Sequence, residues 1–179
     1  ISFWAIPLLA IDLDFSIDLQ QRKFTPAPIQ KQGLSQKSAD LMGKHIIIQF
    51  DRPLTDQEKT RLADAGIELL EYIPNLAYTV KLTRTIDESL INQHGIRWFG
   101  EIYPDDKISP LITDFGIGDW ARRDGGRAKF TVLLHKDEDI NFWSEEFERL
   151  YNAEITGLAK TINGIEMIVP ELAYLGISE

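Results

Sequence analysis

The sequence predicts an α+β fold of two ferredoxin-like (βαββαβ) repeats with antiparallel sheets, the second incomplete, preceded by an N-terminal strand and a linker. Three observations support this prediction. Short β-branched runs alternate with helices that start at capping residues, strand-like runs flank tight-turn residues, and the order of elements begins twice. The expected boundaries are 1–43 for the N-terminal segment, 44–110 for the first repeat, 111–128 for a linker and 129–179 for the second repeat.

Composition and charge narrow the classes of protein that the chain can represent. With 179 residues, 44% of them hydrophobic and 26% charged, the chain has the composition of a globular protein. Its 28 acidic and 19 basic residues give a formal charge of −9, which argues against binding of nucleic-acid phosphates. The absence of cysteine excludes a disulfide framework, a CxxC redox centre and thiolate metal sites.

The N-terminal segment combines an apolar start, an alternating run and a polar stretch. ISFWAIPLLA, residues 1–10, is too short to span a bilayer and fits a buried segment or a signal-peptide remnant. No other stretch is a candidate for a membrane span. IDLDFSIDL, residues 11–19, alternates apolar and polar residues, which predicts a strand with one wet face. Residues 20–44 are polar and contain Pro26 and Pro28, which is linker composition.

The first repeat opens with a strand and a capped helix. HIIIQF, residues 45–50, is β-branched and predicts a strand. Thr55 and Glu58 have the spacing of a capping box, and Gly66 is a helix stop, so a helix is expected over residues 56–65.

A hairpin is expected next, in EYIPNLAYTVKL. Proline fixes φ and lacks a donor, and asparagine tolerates left-handed φ, so Pro74-Asn75 suits the turn between two strands. The alternation then predicts that three side chains of the second strand face the helices: Tyr78, Val80 and Leu82.

A second helix and a fourth strand complete the first repeat. In TRTIDESLINQHG, Thr85 and Glu88 repeat the capping-box spacing and Gly95 ends the helix. IRWFGEI, residues 96–102, predicts the last strand.

The second repeat begins with KFTVLL, residues 129–134, and an amphipathic helix that contains Trp143 and Phe147. Two strands follow around Asn163-Gly164, a strong hairpin signal, and Pro170 opens a final helix. The chain stops before a fourth strand, so the edge of Phe130–Leu134 is predicted to be free. Residues 11–19 have the length and period to pair there; the alternatives are that they pair with another edge of the first repeat or with a different chain.

Two stretches of the first repeat, HIIIQFDRPLTDQEKTRLADAGIELLEYIPNLAYTVKL and RWFGEIYPDDKISP, resemble the N-terminal propeptide-type region of a branch of subtilisin-like serine peptidases. The resemblance covers residues 44–110, with a strand-helix unit, a Tyr-Ile-Pro hairpin and a Trp-x-Gly strand. It implies a noncatalytic segment that inhibits a peptidase domain or assists its folding, in cis or in trans. A secreted or periplasmic location is expected. The peptidase motifs themselves are absent from these residues, so we expect either a detached or cropped pro-region or a domain of this kind reused alone.

No catalytic, cofactor-binding or metal-binding set is expected from the residue pattern. His45, His94 and His135 stand singly at the ends of predicted elements, without an HxxxH or HxxE pair. A serine elbow of the GxSxG type is also missing.

The expected interaction surface is the sheet face that the two helices of the first repeat leave open. The residues assigned to this face are Ile47, Gln49, Thr79, Lys81 and Phe99. The alternative to a binding module is a stand-alone ferredoxin-like domain that binds or hydrolyses a small molecule. A hydrolase would need an anion-cradling glycine-rich loop after the first strand, where this chain has DRPLT.

Overall fold

The computed structural model describes residues 14–30 and 32–178, which form a mixed α+β structure with antiparallel sheets. The predicted α+β class is therefore confirmed. The strands are β1 (Ile17–Asp18), β2 (Lys23–Phe24), β3 (His45–Phe50), β4 (Ile67–Ile73), β5 (Ala77–Leu82), β6 (Ile96–Glu101), β7 (Arg122–Arg123), β8 (Arg127–Leu133), β9 (Glu154–Ala159) and β10 (Gly164–Pro170). The helices are α1 (Leu34–Ala39), α2 (Asp56–Asp64), α3 (Glu88–His94), α4 (Pro110–Phe115), α5 (Ile140–Tyr151) and α6 (Ala173–Ile177).

The first sheet has the strand order β4-β5-β3-β6, with every neighbouring pair antiparallel. Its central strand β3 has a β-branched core and is buried from Ile46 to Phe50. On one face, which we call the helix face, β3 packs against the apolar side chains of α1, α2 and α3. The side chains that these helices contribute are Leu34, Leu62, Leu90 and Ile91.

The β4–β5 hairpin turns where the sequence predicts it. Ile73 pairs with Ala77, and both Asn75 and Leu76 in the intervening loop have φ of 66°. Val80 and Leu82 are buried in the helix-face core, and the half-buried Tyr78 packs against it. The predicted turn and the direction of these three side chains are confirmed.

The helix starts agree with the prediction at α2 and differ from it at α3. Thr55 and Glu58 form the expected capping box of α2. At α3 the N-cap is Asp87 rather than Thr85, because the Asp87 carboxylate accepts a hydrogen bond of 2.9 Å from the Leu90 amide. Asp87 is two residues closer to the apolar run, and aspartate is among the best N-cap residues.

The described part of the N-terminal segment contains a hairpin and a helix that the sequence did not predict. Within residues 14–19 of the expected strand, Ile17–Asp18 alone is extended in a ladder, and it pairs with Lys23–Phe24 in a small antiparallel hairpin. Residues 11–13 lie outside the described residues. The prediction that residues 20–44 form a plain linker is wrong, because α1 lies there and buries Leu34 and Ser38 against the first sheet's core.

We call residues 44–110 the first unit and residues 129–178 the second unit. One ion pair connects the N-terminal hairpin to the first unit. The Arg22 guanidinium donates to both Asp106 carboxylate oxygens, at 2.6 and 2.8 Å, and lies over the rings of Phe24 and Tyr103. The Asp106 side chain is 3% exposed. Burial by itself raises the pKa of Asp106, but hydrogen bonds from Arg22 and the Tyr103 amide outweigh it and hold that pKa below its usual value.

The second sheet has the order β7-β8-β10-β9 and packs against α5 and α6. The two-residue strand β7 lies beside β8, where it pairs with Arg127 and Ala128 and stops short of the Phe130–Leu134 edge. The predicted pairing of residues 11–19 with that edge is wrong for the part of this segment that the structure describes, because Ile17–Asp18 pairs with Lys23–Phe24 instead. The short β7 could not be predicted because Arg122 and Arg123 lie in a polar stretch with turn residues on both sides.

Truncation of the central strand should destabilise the first unit. We expect Ile48→Ala to lower the free energy of unfolding by about 2–5 kcal/mol, because it leaves a cavity in a fully buried layer. Urea unfolding of the full chain measures this change. Ile162→Ala removes the same atoms from a side chain that is 59% exposed and serves as the control. Equal effects of the two substitutions would contradict the packing described above.

Removal of the Asp106 charge should loosen the N-terminal hairpin. We expect Asp106→Asn to lower the free energy of unfolding by about 1.5–3 kcal/mol at neutral pH, because the Arg22 guanidinium loses its charged acceptor. Asp105→Asn, at an exposed neighbour, is the control.

The loss of unfolding free energy caused by Asp106→Asn should depend on pH in a defined direction. Because the folded-state pKa of Asp106 is lowered, its stabilisation is complete above the unfolded-state pKa of about 4 and is lost as pH falls through the folded value. The difference between wild type and Asp106→Asn should therefore shrink in acid. A difference that stays constant down to the lowest pH would rule out this account.

Candidate functional site

The sheet face opposite the helix face carries four of the five residues that the sequence analysis assigned to an interaction surface. Side chains alternate along β3, so Ile47 and Gln49 point away from the helices. In β5, Thr79 is paired with Ile47, and Lys81 is paired with His45, which places them on the same face. We call this surface the open face of the first sheet.

Phe99 does not belong to the open face. It is paired with Ile48 and is buried in the helix-face core. Strict alternation from Ile96 would turn Phe99 the other way, but the β3–β6 register shifts between Gln49 and Phe50. The assignment of Phe99 was therefore wrong, and Trp98 takes its place on the open face.

The chain itself covers most of the open face. Ile17 is fully buried against Ile47, Ile73 and Ala77. Four half-buried side chains border this contact: Leu19, Phe24, Trp98 and Ile102. The apolar part of the face is therefore not available to another molecule while residues 14–24 stay in place.

Gln49 is the polar centre of the covered face. Its side chain is fully buried, and its amide nitrogen donates to the carbonyls of Phe15 and Asn75, both at 3.0 Å. Its amide oxygen accepts a hydrogen bond of 3.0 Å from Arg97, whose guanidinium also stacks on the Phe15 ring. Asn75 in turn donates to the Ser16 carbonyl at 2.8 Å.

Charged and imidazole side chains gather at the other end of the open face, where the second unit contacts the first. We call this group the junction cluster. Its members are His45, Glu71, Lys81, His135, Asp137 and Glu138. The imidazole rings of His45 and His135 are stacked with centroids 4.0 Å apart.

Asp137 is the most connected member of the junction cluster. Its carboxylate lies 2.9 Å from His45 Nε2 and 2.7 Å from Lys81 Nζ. Burial raises the pKa of Asp137, but the hydrogen bonds from Lys81 and His45 lower it more, so the net shift is downward. The same hydrogen bond to Asp137 raises the pKa of Lys81.

Glu71 and His135 form a second pair in the cluster. Glu71 lies 3.3 Å from His135 Nδ1 and accepts a short hydrogen bond from the Thr79 hydroxyl. Desolvation lowers the pKa of His135, and the neighbouring His45 lowers it further against the opposing effect of Glu71. Thr79, one of the predicted interaction residues, thus contacts its own sheet.

Three donor groups of the cluster have the arrangement of a metal-ligand set. One ligand atom each from His45, Asp137 and Glu138 lies within 4.8 Å of the others. No metal ligand was predicted, because each histidine stands alone in the sequence. His45 lies 92 residues from Asp137, so the spacing of residues along the chain gives no sign of this set beyond a histidine at a strand end.

The fold places no membrane span in residues 14–30 and 32–178, where every helix is too short or too polar to cross a bilayer. Among family models, residues 18–103 match one described as "Domain of unknown function (DUF8729)". No curated protein and no solved structure matches the chain significantly. The family match starts within β1 and ends at Tyr103, so it contains the whole first sheet and the hairpin that covers it except for the first residues of that hairpin, up to Ile17.

Proposed function

We propose that the chain is a noncatalytic interaction module of the propeptide kind, which binds a subtilisin-like peptidase domain and inhibits it or assists its folding. The observation that carries this proposal is the resemblance of residues 44–110 to such propeptide regions. In the structure the same residues contain all four strands of the first sheet and two of the helices that pack on it, α2 and α3. A secreted or periplasmic location belongs to the same proposal.

The proposed fold type is a pair of ferredoxin-like repeats. The order β4-β5-β3-β6 in the first sheet supports it, because the first and third strands of the unit are central and the second and fourth lie at the edges. The second sheet has its first three strands in the same relative order, β8-β10-β9, with β7 at the position that a fourth strand would take.

The second sheet offers the surface on which we place the peptidase. Its face opposite α5 and α6 is uncovered among the described residues, whereas the corresponding face of the first sheet holds residues 14–24. The side chains on this uncovered face are Lys129, Thr131, Leu133, Glu166 and Ile168. Lys129 and Glu166 form an ion pair of 2.6 Å there, and Leu133 is 66% exposed.

Ile47, Gln49, Thr79 and Lys81 have a different part in this proposal. Ile47 and Gln49 contact the N-terminal hairpin, Lys81 contacts the second unit and Thr79 contacts its own sheet. A peptidase would reach the first three residues only after displacing the hairpin or the second unit. An edge-exposed leucine beside polar side chains on a rigid sheet is a better docking surface than a face that is already filled.

A small-molecule-binding domain is the second candidate, and a cavity of about 410 Å³ favours it. Its lining includes Arg22, Lys37, Trp98 and Glu101. Both cations are already engaged, since Arg22 pairs with Asp106 and Lys37 donates to the Phe99 carbonyl at 3.0 Å. An anionic ligand would therefore compete with contacts inside the protein, which places this candidate second.

Binding in trans tests the proposed function. We expect the full chain at micromolar concentration to slow peptide hydrolysis by its cognate subtilisin-like peptidase domain, or to raise the yield of active enzyme after refolding. Leu133→Asp should weaken either effect by at least about tenfold, because it places a charge in the docking surface.

Leu111→Asp is the matched control, because Leu111 is 69% exposed but lies in α4, away from this sheet. Absence of binding in both assays would refute the proposed function. Equal loss in the two leucine variants would refute the docking surface alone.

A further inference from the structure

We propose that His45, Asp137 and Glu138 form a binding site for a divalent transition metal such as Zn²⁺, which links the two units of the chain. His45 Nε2 lies 2.9 Å from Asp137 Oδ1 and 3.7 Å from Glu138 Oε1. Ligand atoms of a tetrahedral zinc ion with bonds of about 2.0–2.2 Å lie about 3.3–3.6 Å apart. Shifts of a few tenths of an ångström would bring these donors to that spacing.

The donor types select the class of ion. One imidazole nitrogen and two carboxylate oxygens suit Zn²⁺ and its neighbours in the first transition row better than Ca²⁺ or Mg²⁺, which prefer all-oxygen sites. Three protein ligands also leave a fourth position for water. The three side chains are 18%, 9% and 25% exposed, so solvent can deliver the ion while the donors stay partly desolvated.

Surrounding groups hold the donors in place. The Trp143 indole nitrogen donates to Glu138 Oε2 at 2.7 Å, which leaves Glu138 Oε1 directed at His45 and Lys81. The His135 ring stacks on His45 and limits its rotation. Outer contacts of this kind orient metal ligands in known sites.

The loop that carries the two carboxylates is fixed as well. Asn163 donates its side-chain amide to the carbonyls of His135 and Glu138, at 2.7 and 3.0 Å. The loop after β8 is thereby tied to the turn before β10. Neither of these two contacts uses a carboxylate oxygen of Asp137 or Glu138, so the loop is held without occupying the donor atoms of the site.

Lys81 occupies the position of a competing cation. Its ammonium nitrogen lies 2.7 Å from Asp137 Oδ2 and 3.6 Å from Glu138 Oε1. Two carboxylates face this lysine and one imidazole nitrogen lies beside them, so the donor set has places for a cation of higher charge than one ammonium group. An entering dication must displace the lysine ammonium, so Lys81 weakens metal binding.

Cobalt substitution and thermal unfolding of the full chain test the site. We expect Co²⁺ to give the visible absorption bands of a four-coordinate site, and Zn²⁺ at micromolar concentration to raise the unfolding temperature. His45→Ala and Asp137→Asn should each raise the dissociation constant at least about tenfold. Glu145→Gln, an exposed carboxylate of α5, should leave it unchanged.

Lys81→Met separates metal binding from a merely structural ion pair. We expect this variant to bind Zn²⁺ about two- to fivefold more tightly, because the competing ammonium is gone. Weaker binding would overturn the role of Lys81. A wild-type chain without the cobalt bands, or binding that persists in both ligand variants, would overturn the site itself, whether or not the chain binds a peptidase.

Discussion

The first unit depends on the burial of a glutamine in a strand that has no exposed face. From Ile46 to Phe50 every side chain of β3 is fully buried, so the strand needs a cover on both sides of the sheet. The cover on the open face must supply hydrogen-bond partners for Gln49, because a buried amide without partners costs about 1–3 kcal/mol. Its partners are the Phe15 carbonyl, the Asn75 carbonyl and Arg97. One side chain thus fixes the N-terminal segment, the hairpin turn and β6 relative to each other.

The two sheets differ in what covers the face that their helices leave open. In the first sheet this face is apolar around one satisfied amide, and the chain's own residues exclude water from it. In the second sheet the equivalent positions of β8 and β10 carry Lys129, Thr131 and Glu166, which are stable in water without a cover. Two sheets with the same order of strands therefore differ on the face opposite their helices: this face is buried in the first sheet and exposed to solvent in the second. Of these two faces, only that of the second sheet could bind a partner without a rearrangement of the chain.

The sequence predicted the elements whose determinants are local. The central strand, the Thr55–Glu58 capping box and the turn at Pro74-Asn75 depend on residues within a few positions of each other. The position of Phe99 depended instead on a register shift, which alternation cannot reveal. Helix α1 was missed because six mostly polar residues carry no apolar period, and only Leu34 and Ser38 are buried.

The junction cluster was not predictable because its members come from strands and loops distant in the sequence. His45 begins β3, while Asp137 and Glu138 follow β8, so only the packing of one unit on the other brings their donors together. The family match ends at Tyr103 and therefore includes His45 but neither carboxylate. The proposed metal site is thus a property of the two units combined. The junction cluster covers the end of the open face that residues 14–24 leave uncovered, where Lys81 contacts Asp137. A partner that bound to the open face would have to displace residues 14–24 at one end and break the ion pairs of the junction cluster at the other. For this reason we place peptidase binding on the second sheet.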